Sequence, residues 1–421
     1  MTSEASTYSQ NKTSLTLQPG MYEMLTETVL HTNVTNKVVT LMTSNSSVAT
    51  VNSPSKVTSV AQGTATTTYS VTVIEQARAL QGNIKQVSAG SQYTMILKTD
   101  GSLWACGNIS NGATTDWSTP KQLMTGVAAV SAGSRYIMIL KTDGSLWACG
   151  ENSTGQLGDG TTTEHSTPKQ VMTDVAAVYA GNMHTMILKT DGSLWACGYN
   201  QYGQLGDGTT NMYCSTPKQV MTGVSTVSIG FSHTMILKTD GSLWACGENR
   251  AGQLGDGTTT DSSKPKQVMT GVAAVSAGDS YTMILKTDGS LWACGSNSSG
   301  QLGDGTTTEC HTPKKVMTGV SAVSAGFLYT MILKTDGSLW GCGRNRYGQL
   351  GDGTTMDSST PKRVMTGVAA VSTGNSHTII LKSDGSLWAC GLNIYGQLGD
   401  GTTTTDFSTP KPVMTGVSAV R

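Results

Sequence analysis

Apolar residues in this chain come in short bursts of four to seven, closed by glycine, asparagine, aspartate, serine or threonine. Bursts this short between turn-forming residues predict β-strands rather than helices. From residue 84 onward they follow a fixed order of four. One copy reads AVSAG (Ala322–Gly326), YTMILKT (Tyr329–Thr335), SLWGCG (Ser338–Gly343) and KRVMTG (Lys362–Gly367). We label these strands A, B, C and D. Asp336-Gly337 between B and C is a two-residue hairpin signal that demands positive φ, and this hairpin recurs seven times. B and C carry apolar residues on both faces (Met331, Ile332, Leu333; Leu339, Trp340, Cys342), as expected of a small sheet covered on both sides.

The pentapeptide LW[AG]CG sets the period. Trp104, Trp147, Trp195, Trp244, Trp292, Trp340 and Trp388 are spaced by 43, 48, 49, 48, 48 and 48 residues. Seven four-strand units of this length predict sheets stacked radially around an axis, a seven-bladed β-propeller. A linear solenoid is the alternative, and a long four-strand unit with a tight hairpin suits it poorly. Residues 13–73 follow another pattern. Alternating Val48, Val51, Val57, Val60 and Val71, with Gly20 and Gly63 at turns, read as a small β-sandwich. The expected architecture is all-β: a sandwich domain over residues 1–76, a linker over 77–83 and the propeller over 84–421.

Two family resemblances attach to these motifs. The repeat G-x-x-[HY]-T-x-x-L-K-T-D-G-x-L-W-x-C-G-x-N-x-x-G-Q-L-G-D-G-T resembles that of the regulator of chromosome condensation family, with six full copies and one shortened copy over about residues 83–421. The resemblance implies a seven-bladed propeller, and with it nucleotide exchange on a small GTPase or inhibition of an enzyme such as β-lactamase. Cys stands where the family usually has an aromatic before the closing glycine. Ser47-Val48-Ala49-Thr50-Val51 and Val60-Ala61-Gln62-Gly63-Thr64-Ala65-Thr66 resemble group 2 bacterial immunoglobulin-like (Ig-like) domains, with Ser55 in place of the family's glycine. Such domains serve as stalks on surface proteins and phage particles.

Composition narrows the function classes. Among 421 residues, 27 basic and 27 acidic side chains cancel, and only 13% are charged. Nothing in that balance steers the chain toward nucleic acid or an anionic membrane. No apolar run approaches the length of a membrane span, and MTSEASTYSQNK is too polar for a signal peptide. Seven of nine cysteines (Cys106, Cys149, Cys197, Cys246, Cys294, Cys342, Cys390) occupy one repeat position. Equivalent positions in units of this size lie beyond bridging distance, so these read as small buried thiols. Cys214 and Cys310 are the exposed candidates.

GQLGDGT occurs six times unchanged, while its flanks differ in every copy. The differences fall after strand A and on both sides of GQLGDGT, in the A–B and C–D loops. In an antiparallel sheet ordered A, B, C, D these loops leave from one edge, so the variation gathers on one face of the disc. The opposite face shows nearly constant KTDGS and VMTGV turns. The variable set has the Tyr, Arg, Ser and Phe character of a paratope. It supplies candidate partner-binding residues: Arg135, Tyr136, Met183, His184, Tyr199, Tyr202, Tyr213, Phe231, His233, Arg250, Tyr281, Phe327, Tyr329, Arg344, Arg346, Tyr347, Tyr395, Phe407 and Trp117. Trp117 stands in the first unit, whose loop lacks QLGDG. Unrestrained drift of exposed loops after duplication would give the same pattern.

Chemistry finds little support. His184, His233 and His377 share their position with four tyrosines, which is no designed metal set. One Asp per GDGT loop falls short of calcium's oxygen requirement. No catalytic constellation occupies a unique position, and no cofactor or metal is expected. The leading expectation is a non-enzymatic recognition or adhesion protein, extracellular, at a bacterial cell surface or on a virion. Its partner would be a protein or surface glycan on another macromolecule, with no nucleic acid and no membrane insertion. The alternatives are a regulator or inhibitor of an enzyme, and a structural coat or filament subunit. For the last, strand A occurs eight times, from Ile84–Gly90 to Val417–Arg421, and the surplus copy is a candidate for self-assembly.

Overall fold

The computed structural model describes residues 84–109, 116–403 and 406–414, together with the backbone of six N-terminal strands: 7–16, 22–24, 37–43, 49–52, 56–59 and 64–73. The chain divides into two compact units, Met1–Gln81 and Gly82–Arg421. In the first, Thr7–Thr16, Thr64–Val73 and Lys37–Thr43 form one antiparallel sheet, and Tyr22–Met24, Lys56–Ser59 and Ala49–Asn52 a second. The turns at Gly20 and Gly63 and the Ser47-Val48 start of the Ig-like motif lie outside the described residues.

The second unit is seven four-stranded antiparallel sheets, each ordered A–B–C–D and built from one continuous segment. The described residues contain no helix. Blade 1 runs from Ile84–Ala89 through Tyr93–Lys98 and Leu103–Gly107 to Trp117–Met124; blade 7 runs from Val368–Thr373 to Phe407–Met414. Ile84–Ala89 therefore fills the first A slot. The eighth copy, Val417–Arg421, lies outside the described residues. Strand D starts earlier than the apolar pattern predicts, at Ser358 rather than Lys362 in blade 6, because Ser358 pairs with Gly343 across a bulge. Pro361 is tolerated there because D is an edge strand, with one side free of ladder bonds.

The core lies between blades. Tyr281, Met283, Leu285, Leu291 and Leu302 of blade 5 pack with Val320, Ile332 and Cys342 of blade 6, and other seams repeat the pattern. This is why B and C are apolar on both faces.

Backbone bonds fix the faces. The residue after strand C donates to the A–B loop, as Arg344 N to Leu328 O at 2.9 Å and Tyr199 N to Met183 O at 2.8 Å. At the other end the B–C and D–A turns bond each other, Val368 N to Gly337 O at 3.1 Å. The variable loops share one face, as the strand order predicts.

The constant turns on the opposite face bond internally. Asp336 Oδ1 accepts from the Ser338 amide and hydroxyl, and Trp340 Nε1 donates to Ser338 Oγ at 2.9 Å. Lys334 Nζ lies 5.6 Å from the Trp340 ring centroid, a cation–π contact found in all seven blades. Their constancy follows from this network, so it says nothing about selection on the variable loops.

Candidate recognition face and axial cup

The invariant GQLGDGT is a clasp between blades. In blade 6, buried Asn345 donates through Nδ2 to Asp352 Oδ1 (3.0 Å) and Thr354 O (3.0 Å) and accepts from Leu350 N (3.0 Å). Asp352 Oδ1 also takes the Thr354 amide at 3.0 Å. The rigid loop then reaches blade 7. Gly353 N donates to Ser408 O at 2.9 Å, and Gln349 O accepts from Thr378 Oγ1 at 2.7 Å and Cys390 Sγ at 3.6 Å. Gly348 has φ +77°, and a Cβ there would lie 2.3 Å from Ser408 Cα. Each clasp Asp is therefore already coordinated by protein donors. Although burial works against it, hydrogen bonds from Lys314 and Thr306 hold the Asp304 carboxyl down at about 2.

Six of the seven seams carry the Thr–Gln bond: Thr94–Gln397, Thr185–Gln156, Thr234–Gln204, Thr282–Gln253, Thr330–Gln301 and Thr378–Gln349. The exception is the seam from blade 1 to blade 2, where QLGDG is missing. There the strand B threonine becomes Ile137, which packs with Ile109 and Cys149. The sequence thus drops the threonine donor and the glutamine of this seam together, the combination that avoids burying a hydroxyl without a partner. The shortened loop was visible in sequence; its link to Ile137 was not, because the two positions belong to different repeats.

The tyrosine and histidine position is part of the same seam. Tyr136, His184, His233, Tyr281 and Tyr329 are at most 1% exposed, so their assignment as partner contacts is overturned. Tyr136 Oη donates to His184 O at 2.6 Å in the next blade, and Tyr281 and Tyr329 make the equivalent bond. The shorter histidine reaches the next blade's threonine: His184 Nε2 to Thr234 Oγ1 and His233 Nε2 to Thr282 Oγ1, both 3.0 Å. Each of these threonines spends its single hydroxyl hydrogen on a Gln carbonyl, so Nε2–H is the donor and Nδ1 is unprotonated. Burial lowers His184 and His233 to about 3, with neighbouring His233 adding to the effect at His184.

The remaining candidates reach the surface to different degrees. Arg135, Tyr213, Phe231, Arg250 and Arg346 are exposed; Met183, Tyr199, Tyr202, Phe327, Arg344, Tyr347, Tyr395 and Phe407 are half-buried. Trp117 packs against the apolar core of the first seam, with Lys121 Nζ 4.8 Å from its ring centroid, so its ring mostly serves packing. Lys411 covers Phe407 at 3.6 Å. Blades 3 and 4 hold a rim cluster. Tyr199 and Tyr202 meet edge to face at 6.2 Å, and Arg250 stacks 5.3 Å from the Tyr202 centroid. Met212, Met356 and Ile394, missing from the candidate set, are 62%, 66% and 51% exposed. Their exposure was readable only as variability, since a methionine in a loop does not declare whether it folds inward.

Where strand A ends, all seven blades converge on the axis and line a cup of about 180 Å³. Each contributes two strand-end residues and the first loop residue, so the rim is Ser91, Ser134, Asn182, Phe231, Asp279, Phe327 and Asn375. Among the described residues no group of three or more His, Cys, Asp or Glu converges to hold a metal.

Fold and site together define a seven-bladed β-propeller that presents one variable loop face around an axial cup. The RCC1-like domain model matches residues 19–274 and 224–421, and the chain belongs to that family. Among solved structures it is similar to human WBSCR16 (22% identity, TM-score 0.65, covering 72% of this chain and 88% of that one). It is also similar to yeast RCC1 (Prp20), solved with Kap60 (19% identity, TM-score 0.66, covering 73% and 80%). A second structure of Prp20p from Saccharomyces cerevisiae, described with its binding to Gsp1p and histones, matches at 19% identity and TM-score 0.65, covering 73% and 82%. At these identities the likeness is one of fold. No curated protein sequence matches the chain.

Proposed function

We propose that this is a non-enzymatic recognition protein whose variable loop face binds a macromolecular partner. One observation carries the reading. Among the described residues the exposed large hydrophobic ones, Met212, Tyr213, Phe231, Met356 and Ile394, all stand in A–B or C–D loops or at the loop edge of strand D. Exposed apolar groups concentrated on one face mark an interaction surface, because an aromatic or methionine left in water costs solubility unless a partner covers it. Yeast Prp20, of the same fold, is described with protein partners, which supports a protein as the partner here. The Ig-like motifs of residues 47–66 support a stalk role and a place on a bacterial surface or phage-like particle. The regulator reading uses the same face and differs only in the partner being an enzyme.

The test replaces the flanks of all GQLGDGT clasps and the A–B loop residues by one consensus. The full chain with native loops should retain a partner from surface extracts, and the consensus chain, folded to the same melting curve, should not. Equal retention by both chains sinks the proposal.

A further inference from the structure

The rim of the axial cup breaks its own repeat in one sector. Four blades place Ser91, Ser134, Asn182 and Asn375 there; three consecutive blades place Phe231, Asp279 and Phe327. In blade order Asp279 thus stands between Phe231 and Phe327, which line the cup from the two neighbouring blades. Phe231 N donates to Asp279 O at 3.2 Å, which ties the first two of these loops together. Asp279 is the one ionisable side chain lining the cup. Its carboxylate takes a 3.3 Å bond from Ser280 Oγ and makes no ion pair among those found in the described residues. Glu248 adds negative potential nearby, and the Glu248 charge is partly met by Arg250 at 3.9 Å. Burial raises the Asp279 carboxyl to about 6, with Glu248 adding to the effect.

A half-buried carboxylate with no ion pair found for it, in a cup that two phenylalanines also line, favours a cation for two independent reasons. An incoming cation can give the carboxylate a charge-assisted hydrogen bond, and aromatic rings attract cations through their quadrupole. A volume of about 180 Å³ has room for one long side chain. We propose that the cup receives a single lysine or arginine side chain of the protein that the loop face binds. This rests on the recognition reading above and names the central contact within it.

The chain holds three phenylalanines, two in the cup and Phe407 on blade 7. The full chain labelled with 4-fluorophenylalanine therefore gives three fluorine signals with a built-in control. N-acetyl-lysine methylamide and N-acetyl-arginine methylamide are the probes, and N-acetyl-norleucine methylamide is the neutral match. At least one cationic probe should shift the Phe231 and Phe327 signals saturably and leave Phe407 in place. Norleucine should shift neither. Asp279→Asn should weaken the binding by about tenfold or more. Asp279→Ser, the residue two other blades carry there, should do the same, and the Phe407 signal reports that each variant is folded. The assignment is overturned if no probe moves the signals, if norleucine moves them as far, or if both Asp279 variants bind like the native chain. Partner loss in the loop-consensus chain, alongside unmoved fluorine signals, would remove the cup assignment and leave the recognition face standing.

Discussion

Thr94 and His377 lie 283 residues apart, yet His377 Nε2 sits 3.0 Å from Thr94 Oγ1. Thr94 Oγ1 passes its own hydrogen to Gln397 O at 2.8 Å. With Gly401 N to Ser118 O at 2.9 Å and Ala89 N to Ser372 Oγ at 3.1 Å, this pair closes the ring. Each described blade is one continuous segment, so closure rests on these bonds between blades 7 and 1 rather than on a strand shared between the ends.

Removing the Thr94 hydroxyl should therefore open the disc. Thr94→Val leaves a buried His Nε2–H unpaired and Gln397 O with only the weak Cys106 thiol donor at 3.5 Å, an expected loss of about 1–3 kcal/mol. Ile137→Thr should cost a similar amount for the opposite reason, since it buries a hydroxyl in the one seam without a Gln carbonyl. Urea denaturation checks both; a neutral Ile137→Thr would refute the compensation argument.

Acid should weaken the seams in two stages. His184, His233 and His377 are lowered by burial to about 3, 3 and 4, against 6.5 when unfolded. Between these values the unfolded chain binds more protons, so stability falls as pH drops below about 6.5. Each histidine contributes up to about 1.4 kcal/mol per pH unit. Asp279, raised to about 6, runs the other way and offsets roughly one histidine between pH 6 and 4. Below about pH 4 the depressed clasp carboxylates, Asp304 among them, protonate and lose their contribution. Stability measured from pH 7 to 4 should fall less steeply in the chain with the three histidines replaced by tyrosine, the residue other blades use.

Two glycines with the same backbone twist should respond differently to alanine. Gly385 has φ +80° with nothing within 4 Å of a new Cβ, so Gly385→Ala should cost about 1 kcal/mol. Gly348→Ala meets the Ser408 backbone as well and should cost about 3 kcal/mol or more. Equal losses would show that the clasp does not press blade 6 on blade 7.

All nine cysteines are free, seven of them buried. Burial pushes the Cys106 and Cys342 thiols up to about 12, which suppresses the reactive thiolate. Alkylation of the native protein should modify Cys214 and Cys310 alone, and unfolding should release the other seven. Mass spectrometry of peptides after a timed pulse separates the two sets.

The sequence by itself determined the period, the four strands, the DG hairpins and the division into a constant and a variable face. These depend on local periodicity and turn chemistry, which each repeat carries complete. It also marked GQLGDGT as scaffold, though as a turn rather than as the grip of one blade on the next. What only the tertiary structure decided lies between repeats. Stacking blades around an axis brings equivalent positions from neighbouring units into contact, and no pattern within one unit reports that. It buried Tyr136, His184, His233, Tyr281 and Tyr329 in the seams, matched Ile137 to a loop lacking its glutamine, and set Asp279 between Phe231 and Phe327. Three residues, each an irregularity in its own repeat, share one cup because the axis is where all seven strands A end.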